Sequence, residues 1–449
     1  MGINAAVFVE EKSKEALNKS TCAAWRADFL SGKTKNRRNT DVFQGFLAQF
    51  RRKRCRQDVR GDLFSTSLIV KSYAKNRKGQ ETAAWIGEGK MPIRVLHVLN
   101  NLGSGGAESF VMNVYRNIDR TKIQFDFLIR SKNNGPMVNE IEEMGGKVFI
   151  QPSFPKHFIS NYVALDKFLK QNAQSYVAIH VHANSLVYVR PLKLAKKYGI
   201  EKRIIHSHNT KSAADIIHKF NIDRIDRWAT DRFACSNWAG EFMFPHKQFL
   251  FVPNGIDISK FAYSNEARNR IRAQFAITDE TIVVGNVGRF SPQKNHPKIV
   301  EIFKAYHETN RKSKLLLVGE GENRKMIEEL VAQNGLQNDV IFTGAVTNVE
   351  DYLSAMDVFL LPSLWEGLAI VLIEAQANGL GCIASTTTPP ESDCGNVLYL
   401  GLDESAEKWA EAISTQERKP PCSELLSNFD IKTVAQRLET FYLSEIEET

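Results

Sequence analysis

From Met91 onward, short apolar runs alternate with amphipathic stretches, and this pattern constrains the fold more than any other feature. Strand-like runs occupy 93–99, 125–130, 147–151, 176–182, 203–207, 232–235 and 249–252, then 282–287, 314–318, 339–343, 357–361, 381–385 and 397–400. Helical patterns separate them, among them 107–118, 185–198, 297–310 and 324–334. Strands that read as unbroken apolar runs are buried on both faces, which is the situation of a parallel sheet covered by helices. Seven strands and then six exceed one comfortable sheet. The expected architecture is therefore α/β: two facing doubly wound Rossmann-like domains with parallel sheets and a cleft between them. Pro253-Asn-Gly-Ile-Asp257 punctuates the junction. The expected domains are 91–255 and 256–430, followed by a C-terminal helix in 431–449, drawn as 431–447.

The charge is unevenly placed. The 449 residues carry a net charge of +8, but residues 1–90 hold 19 Lys+Arg against 9 Asp+Glu, leaving 40 against 42 for the rest. Clusters such as Arg51-Arg-Lys-Arg-Cys-Arg56 lack the periodicity that begins at Met91. Residues 1–90 are read as an upstream extension outside the native fold. The competing reading is a basic tail that touches acidic lipid or nucleic acid. Six scattered cysteines without a C-x-x-C pair argue for a reducing compartment and against a zinc knuckle. No apolar run reaches the roughly 18–20 residues that span a bilayer, and the N-terminus shows neither a signal peptide nor a myristoylation pattern.

The chemistry-bearing residues follow expected strands, where ligands of open α/β sheets sit. Glu366-Gly-Leu-Ala-Ile-Val-Leu-Ile-Glu374 places one carboxylate before a helix starting near Ala369 and one in its second turn. The helix stops at Asn378-Gly379, with Gly in the C′ place. The N–H groups of Leu368, Ala369, Ile370 and Val371 are expected to be free and to attract an anion, phosphate above all. Two carboxylates flanking such a helix end can hold two hydroxylated rings on either side of a diphosphate, which suits a nucleotide sugar. In the loop 286–294, Gly288 permits close approach, and Arg289 and Lys294 offer two cations for a diphosphate. Asn295 or His296 would cap the next helix, with Pro297 in its first turn.

Loop 100–108 holds Gly103, Gly105 and Gly106, which do not form a true G-x-G-x-x-G. It favours phosphate or sugar approaching backbone over dinucleotide binding. His180-x-His182 and His206-x-His208 each put two imidazoles on one face of a strand. A metal is not expected there, because no carboxylate completes either pair. A histidine at the end of the 203–207 strand can instead meet a sugar or diphosphate. No Asp-x-Asp follows a strand end, so metal-independent chemistry without a cofactor is expected.

Several motifs together carry a family resemblance across residues 91–442. They are GGAE at 105–108, HSHN at 206–209, VPNGID at 252–257 and VGRFSPQKNH at 287–296, followed by LLLVGEGE at 315–322, VIFTGAV at 340–346 and LPSLWEGLAIVLIEAQANGL at 361–380. This stretch resembles the retaining glycosyltransferases of the GT-B fold, family 4, of the bacterial capsular and exopolysaccharide type. The resemblance implies that Glu374 binds the donor ribose and Glu366 the transferred sugar. It implies that Arg289 and Lys294 neutralise the diphosphate, and that backbone from Gly344 to Val346 meets the base. Gly105 and Gly106 would flank the diphosphate, and His208 would lie near the sugar or acceptor, with His206 as second choice.

The implied activity moves a sugar from a nucleoside diphosphate, expected to be UDP, to a glycan or lipid-linked acceptor, in the cytoplasm at the inner membrane face. Lys193, Lys196 and Lys197 on one helix are the sequence's own hint of membrane contact. The alternatives are a sugar-nucleotide epimerase on the same fold and a basic-tailed nucleic-acid-binding protein. Two positions depart from the family pattern: Ala369 and Gly381 stand where proline is usual, and the first departure is expected to loosen the helix start. Segment 386–396 is also atypical, with no effect readable from sequence.

Overall fold

The computed structural model describes residues 91–103, 105–131, 137–212 and 214–444. The expectations placed on residues 1–90 fall outside them. The first sheet contains β1 (Ile93–Leu99), β2 (Ile123–Ile129), β3 (Lys147–Ile150), β4 (Ala178–Ala183), β5 (Lys202–Ser207), β6 (Asp231–Ala234) and β7 (Leu250–Phe251). The second contains β8 (Ile282–Val287), β9 (Ser313–Val318), β10 (Val340–Gly344), β11 (Val358–Leu361), β12 (Gly381–Ser385) and β13 (Val397–Leu400). These are the thirteen expected strands, with small shifts at their ends.

Every strand pairing is parallel. The orders are β3-β2-β1-β4-β5-β6-β7 and β10-β9-β8-β11-β12-β13. Each order reverses once, between β1 and β4 and between β8 and β11. Such a switch point opens a crevice at the carboxyl ends of the strands. The loops after β1, β8 and β11 enter these crevices, and they carry the glycine loop, the Lys294 loop and the Glu366 loop.

The apolar runs have the expected cause. In β9, Leu316 faces one core while Leu315 and Leu317 face another. In β1, Val95 and Leu96 divide in the same way. Two elements end differently from expectation, with tertiary hydrogen bonds at each of these ends. The helix expected from residue 185 begins at Arg190. Leu186 is held outside it, its N–H donating to His218 Nδ1 at 3.1 Å and its carbonyl accepting from Asn221 Nδ2 at 2.7 Å. The last helix, Ile431–Leu443, ends before Ser444, where Lys202 Nζ donates to the carbonyls of Phe441 (2.7 Å), Tyr442 and Ser444; the expected stretch 445–447 lies outside the described residues.

This last helix returns to the first domain. Ile431, Val434, Ala435, Leu438 and Tyr442 share a core with Val95, Phe110 and Phe125. Leu438 is buried, so its truncation leaves a cavity. Leu438→Ala should lower stability by about 2–5 kcal/mol in urea unfolding. A loss below ~1 kcal/mol would mean that the helix is not integral to this core.

Candidate functional site

The β11 loop and the helix after it organise the site. The helix spans Ile370–Ala377, in the expected place. It ends in a Schellman motif: Leu380 N–H donates to Ala375 O (3.0 Å) and Gly379 N–H to Gln376 O (2.8 Å), with Gly379 at φ +81°. Of the four N–H groups expected to be free at its start, two are taken. Ala369 N–H donates to Ser392 Oγ at 3.2 Å, and Ile370 N–H lies 3.0 Å from Leu368 O. Leu368 and Val371 keep theirs without a partner among the described residues. Ala369 itself is buried. Where the family has a proline ring, Ala369 thus makes a hydrogen bond that only a residue with an N–H can make. Ser392 belongs to the atypical segment 386–396. Gln376 holds that segment through Ser392 O (2.7 Å) and Cys394 N–H (2.6 Å). Gly381 is explained by packing, since a Cβ there would lie 2.9 Å from both Gln416 Cβ and Glu417 O.

Lys294 and Glu366, expected to serve separate parts of a ligand, are joined. Lys294 Nζ lies 2.7 Å from Glu366 Oε1, and Gln293 Nε2 donates to Oε2 at 3.1 Å. Glu366 is buried and Lys294 nearly so. A pair this dry is held by geometry as well as charge. Leu364 N–H to Gln293 O (2.8 Å) and Gln293 Nε2 to Trp365 O (3.0 Å) zip the two loops together. The lysine stem crosses Gly288, where a Cβ would sit 3.2 Å from Lys294 Cγ. Asn295 precedes the next helix in the left-handed region, φ +51°, and its side chain donates to Pro362 O instead of capping. Arg289 is not drawn into this group: its guanidinium pairs with Glu322 at 3.0 Å and is 74% exposed.

Glu374 is half-buried, and its carboxyl has no hydrogen-bond partner among the described residues. Burial pushes it up to about 7, against the pull of Lys260, while Glu350 adds to the push and Lys294 to the pull. Gly344 stands at the end of β10 with φ +76°, its carbonyl accepting from Gly319 N–H at 3.0 Å. Val346 packs on the core beneath. Sequence reasoning passed over Gln293, Gly319 and Gly321. A Cβ at Gly319 would meet Gly288 O at 2.1 Å, and one at Gly321 would meet Phe290 O at 2.5 Å. The GEGE motif was the available signal for the two glycines.

The first domain closes the site from the other side. The helix Gly106–Asn117 begins after Gly105. A Cβ on Gly106 would lie 3.8 Å from Ile370 Cδ1 and 3.7 Å from Asn254 Nδ2. Two helix N-termini therefore converge across the cleft, and both present positive dipole ends. The β5 edge touches the Glu366 loop directly. Thr210 Oγ1 donates to Glu366 O (3.2 Å) and Ser236 Oγ to Gly367 O (2.5 Å), while a Cβ on Gly367 would meet His208 O at 2.3 Å.

Behind His208 lie four more histidines, more than the two expected pairs, because β1 contributes His97. They form two hydrogen-bonded ribbons. In the first, His97 Nδ1 meets His182 Nε2 at 3.0 Å, and His182 Nδ1 meets His208 Nε2 at 2.9 Å. In the second, Tyr442 Oη meets His180 Nδ1 at 2.6 Å, and His180 Nε2 meets His206 Nδ1 at 3.2 Å. Two triads, His97/His180/His182 and His182/His206/His208, bring ring nitrogens close enough to consider a metal. The ring planes within the ribbons are only 16–33° apart, so neighbouring N–H groups and lone pairs point at one another. His180 and His182 engage both ring nitrogens, as neutral imidazoles that donate once and accept once do, while His97 Nε2, His206 Nε2 and His208 Nδ1 are left without a partner among the described residues.

Burial pushes His97 and His208 down to about 3, and His180, His182 and His206 well below their ordinary value. A histidine lowered on folding contributes stability above its unfolded value, near 6.5, and that stability is lost as pH falls toward the folded value. Glu374 acts in the opposite sense, with stability lost as pH rises from its ordinary 4.5 toward 7. Five histidines outweigh one glutamate, at up to about 1.4 kcal/mol per group per pH unit. The urea midpoint should therefore fall between pH 7 and pH 5. The double variant His97→Gln/His206→Gln should flatten that slope, and an unchanged slope would remove the ribbons as its cause.

Residues 267–430 match the family of glycosyl transferases group 1. EpsF of Bacillus subtilis (strain 168), a protein with glycosyltransferase in its name, is 35% identical over 341 residues, 72% of this chain and 87% of its own. CapH of Staphylococcus aureus, a capsular polysaccharide biosynthesis glycosyltransferase, is 26% identical over 79% of this chain and 99% of its own. An Escherichia coli UDP-Gal:alpha-D-GlcNAc-diphosphoundecaprenol alpha-1,3-galactosyltransferase is 25% identical over 58% and 72%. Among solved structures, Anabaena HepE in complex with UDP and glucose superposes with a TM-score of 0.65 at 18% identity, covering 78% of this chain and 99% of that one. The fold is that of GT-B glycosyltransferases. The chain belongs to the glycosyl transferases group 1 family.

Proposed function

We propose that this glycosyltransferase moves a sugar from a nucleoside diphosphate, UDP by preference, to a hydroxyl of a lipid-linked or glycan acceptor, with retention at the anomeric carbon, in the synthesis of an extracellular or capsular polysaccharide. The observation that carries the reading is the convergence of the Gly106 and Ile370 helix N-termini beside the Lys294–Glu366 pair and the unpartnered Glu374. In this reading the diphosphate lies between the two dipoles, against the N–H groups of Leu368 and Val371 and the loop of Gly105, Gly106 and Gly288. Lys294 stabilises charge on the leaving phosphate and Arg289 swings in from solvent to assist. Glu366 holds the sugar hydroxyls, Glu374 accepts from the ribose diol, Gly344 to Val346 meet the base, and His208 borders the acceptor. The relatives named for capsular synthesis and for a UDP-galactose donor support the polymer and the nucleotide.

In this reading no carboxylate among the described residues is assigned the part of a nucleophile. Front-face attack is therefore favoured: the acceptor oxygen bonds to the anomeric carbon as the phosphate oxygen departs and takes the acceptor's proton. Charge stabilisation and positioning then supply the rate, with no metal and no cofactor. Contact with the cytoplasmic face of a membrane would bring a lipid-linked acceptor to the site.

The first test is thermal stabilisation of the full chain by UDP, GDP, ADP and CMP. UDP should raise the melting temperature by mass action, and Glu374→Ala should abolish the shift. Lys294→Ala should lower kcat by roughly 100-fold or more, in the range of lost transition-state stabilisation. No shift with any nucleotide and unchanged kinetics in both variants would overturn the assignment. Glu374 must lose its proton to accept two hydrogen bonds, so UDP affinity should rise from pH 6 to pH 8 in the native protein and stay flat in Glu374→Gln, as read by calorimetry.

A further inference from the structure

One helix of the first domain is built inside out, and a second exposes apolar side chains in its first two turns. In Asp215–Ile222, the polar His218 and Asn221 are buried, while Ile216, Ile217 and Phe220 are 78%, 47% and 61% exposed. Phe158–Asn172 buries Leu165 and Leu169 in the core, but ahead of them Asn161 is buried while Phe158, Ile159 and Val163 face solvent. A surface helix ordinarily turns its apolar stripe inward. Here rotation cannot relieve the exposure, because the buried polar side chains are engaged. His218 and Asn221 hold the backbone of Leu186, and Asn161 Oδ1 accepts from Tyr188 Oη at 2.9 Å. Both helices are thereby pinned to one loop, 186–190.

Cations lie between the two apolar faces. The Arg190 guanidinium sits 2.9 Å over the Tyr162 ring, Arg224 3.3 Å over Phe220 and Lys193 3.9 Å over Trp228. Lys193 is held below its ordinary value by burial and then by the charges of Arg190 and Arg224, so the three cations share one neighbourhood. None of them has an ion-pair partner among the described residues. Lys219 is exposed on the Asp215–Ile222 helix, against Asp215 and Asp223 on the same stretch, while Lys211 lies 3.8 Å over the Trp365 ring and is not part of this group. Two of the lysines that sequence alone suggested are otherwise engaged: Lys196 Nζ donates to Arg227 O at 2.8 Å, and Lys197 pairs with Asp166 at 3.0 Å.

We propose that this face docks on an anionic lipid surface, with Ile216, Phe220, Ile159 and Val163 entering the headgroup boundary and Arg190, Lys193 and Arg224 meeting lipid phosphates. A bilayer supplies an apolar layer edged by negative charge in one plane, which matches exposed apolar side chains interleaved with unpaired cations. The Asp215–Ile222 helix begins only five residues after Thr210, which bonds the Glu366 loop. Docking would therefore set the mouth of the candidate site at the lipid surface. That placement rests on the transferase reading; the docking itself does not.

The test is sedimentation of the full chain with vesicles of phosphatidylglycerol and phosphatidylcholine, or of phosphatidylcholine alone. The variants are Ile216→Ser/Phe220→Ser and Arg190→Gln/Arg224→Gln, with the UDP thermal shift as a check that each remains folded. The native chain should partition onto the anionic vesicles and be released by salt. Loss of two cations should weaken partitioning by about 30-fold, at roughly 1 kcal/mol each, and loss of the two apolar groups by at least about tenfold. Equal partitioning of native and variant chains would overturn the proposal and assign binding elsewhere, the basic residues 1–90 first. So would no partitioning of the native chain, or a dimer in solution that the Ile216→Ser/Phe220→Ser variant abolishes. A UDP shift without vesicle binding would defeat the docking and leave the transferase; vesicle binding without any nucleotide shift would do the reverse.

Discussion

Gly367 is the point on which the site depends. It has no room for a side chain, since a Cβ would sit 2.3 Å from His208 O. This contact lets the β11 loop of one domain lie flat against the β5 edge of the other. Thr210 and Ser236 then hold the carbonyls on either side of it. Glu366, one residue before, is pressed against Lys294, and the helix start at Ile370, three residues after, is brought opposite Gly106. Any Cβ at Gly367 would push the loop away and separate all three at once. The glycine is a distance constraint between domains, and the chemistry is arranged around it.

Electrostatics follow from that closeness. Glu366 is buried and tolerates its charge because Lys294 and Gln293 satisfy both oxygens. Glu374 is not satisfied, and its proton affinity rises accordingly. Behind the β5 edge the fold stacks neutral imidazoles in place of charges, which avoids the cost of burying ions. The ribbons also tie His208 to its neighbours: which nitrogen of His208 carries a proton is set by His182, and that of His182 by His97.

The sheets were legible because the central strands, such as β1, β9 and β11, are buried on both faces and read as apolar runs, a signal that needs no tertiary information. The glycine stop at Gly379, the positions of Glu366 and Glu374, and the loop of Gly288 and Lys294 were readable for the same local reason. The Lys294–Glu366 pairing was not, because it joins residues 72 apart across two loops. Nor was the part played by Ser392, since a hydroxyl far along the chain substitutes for a proline ring at 369. His97 escaped notice because it stands alone in β1 and only the register with His180 shows its company. Arg289 and Lys294 looked equivalent in sequence, yet one is pressed over Gly288 and the other stands in solvent.

The Asp215–Ile222 helix shows a further limit of periodicity. A reader of its sequence would turn the isoleucines and phenylalanine inward. The orientation is decided by hydrogen bonds to loop 186–190, whose backbone needs partners once it leaves helical geometry at Leu186. Asn221 and His218 meet that need, and Asn161 fixes the loop separately by accepting from the Tyr188 hydroxyl. An unsatisfied buried amide costs about as much as a buried aliphatic side chain contributes, so satisfying the loop can outweigh burying Ile216 or Val163. The apolar side chains are then left outward, with Arg224 over Phe220 and Arg190 over Tyr162.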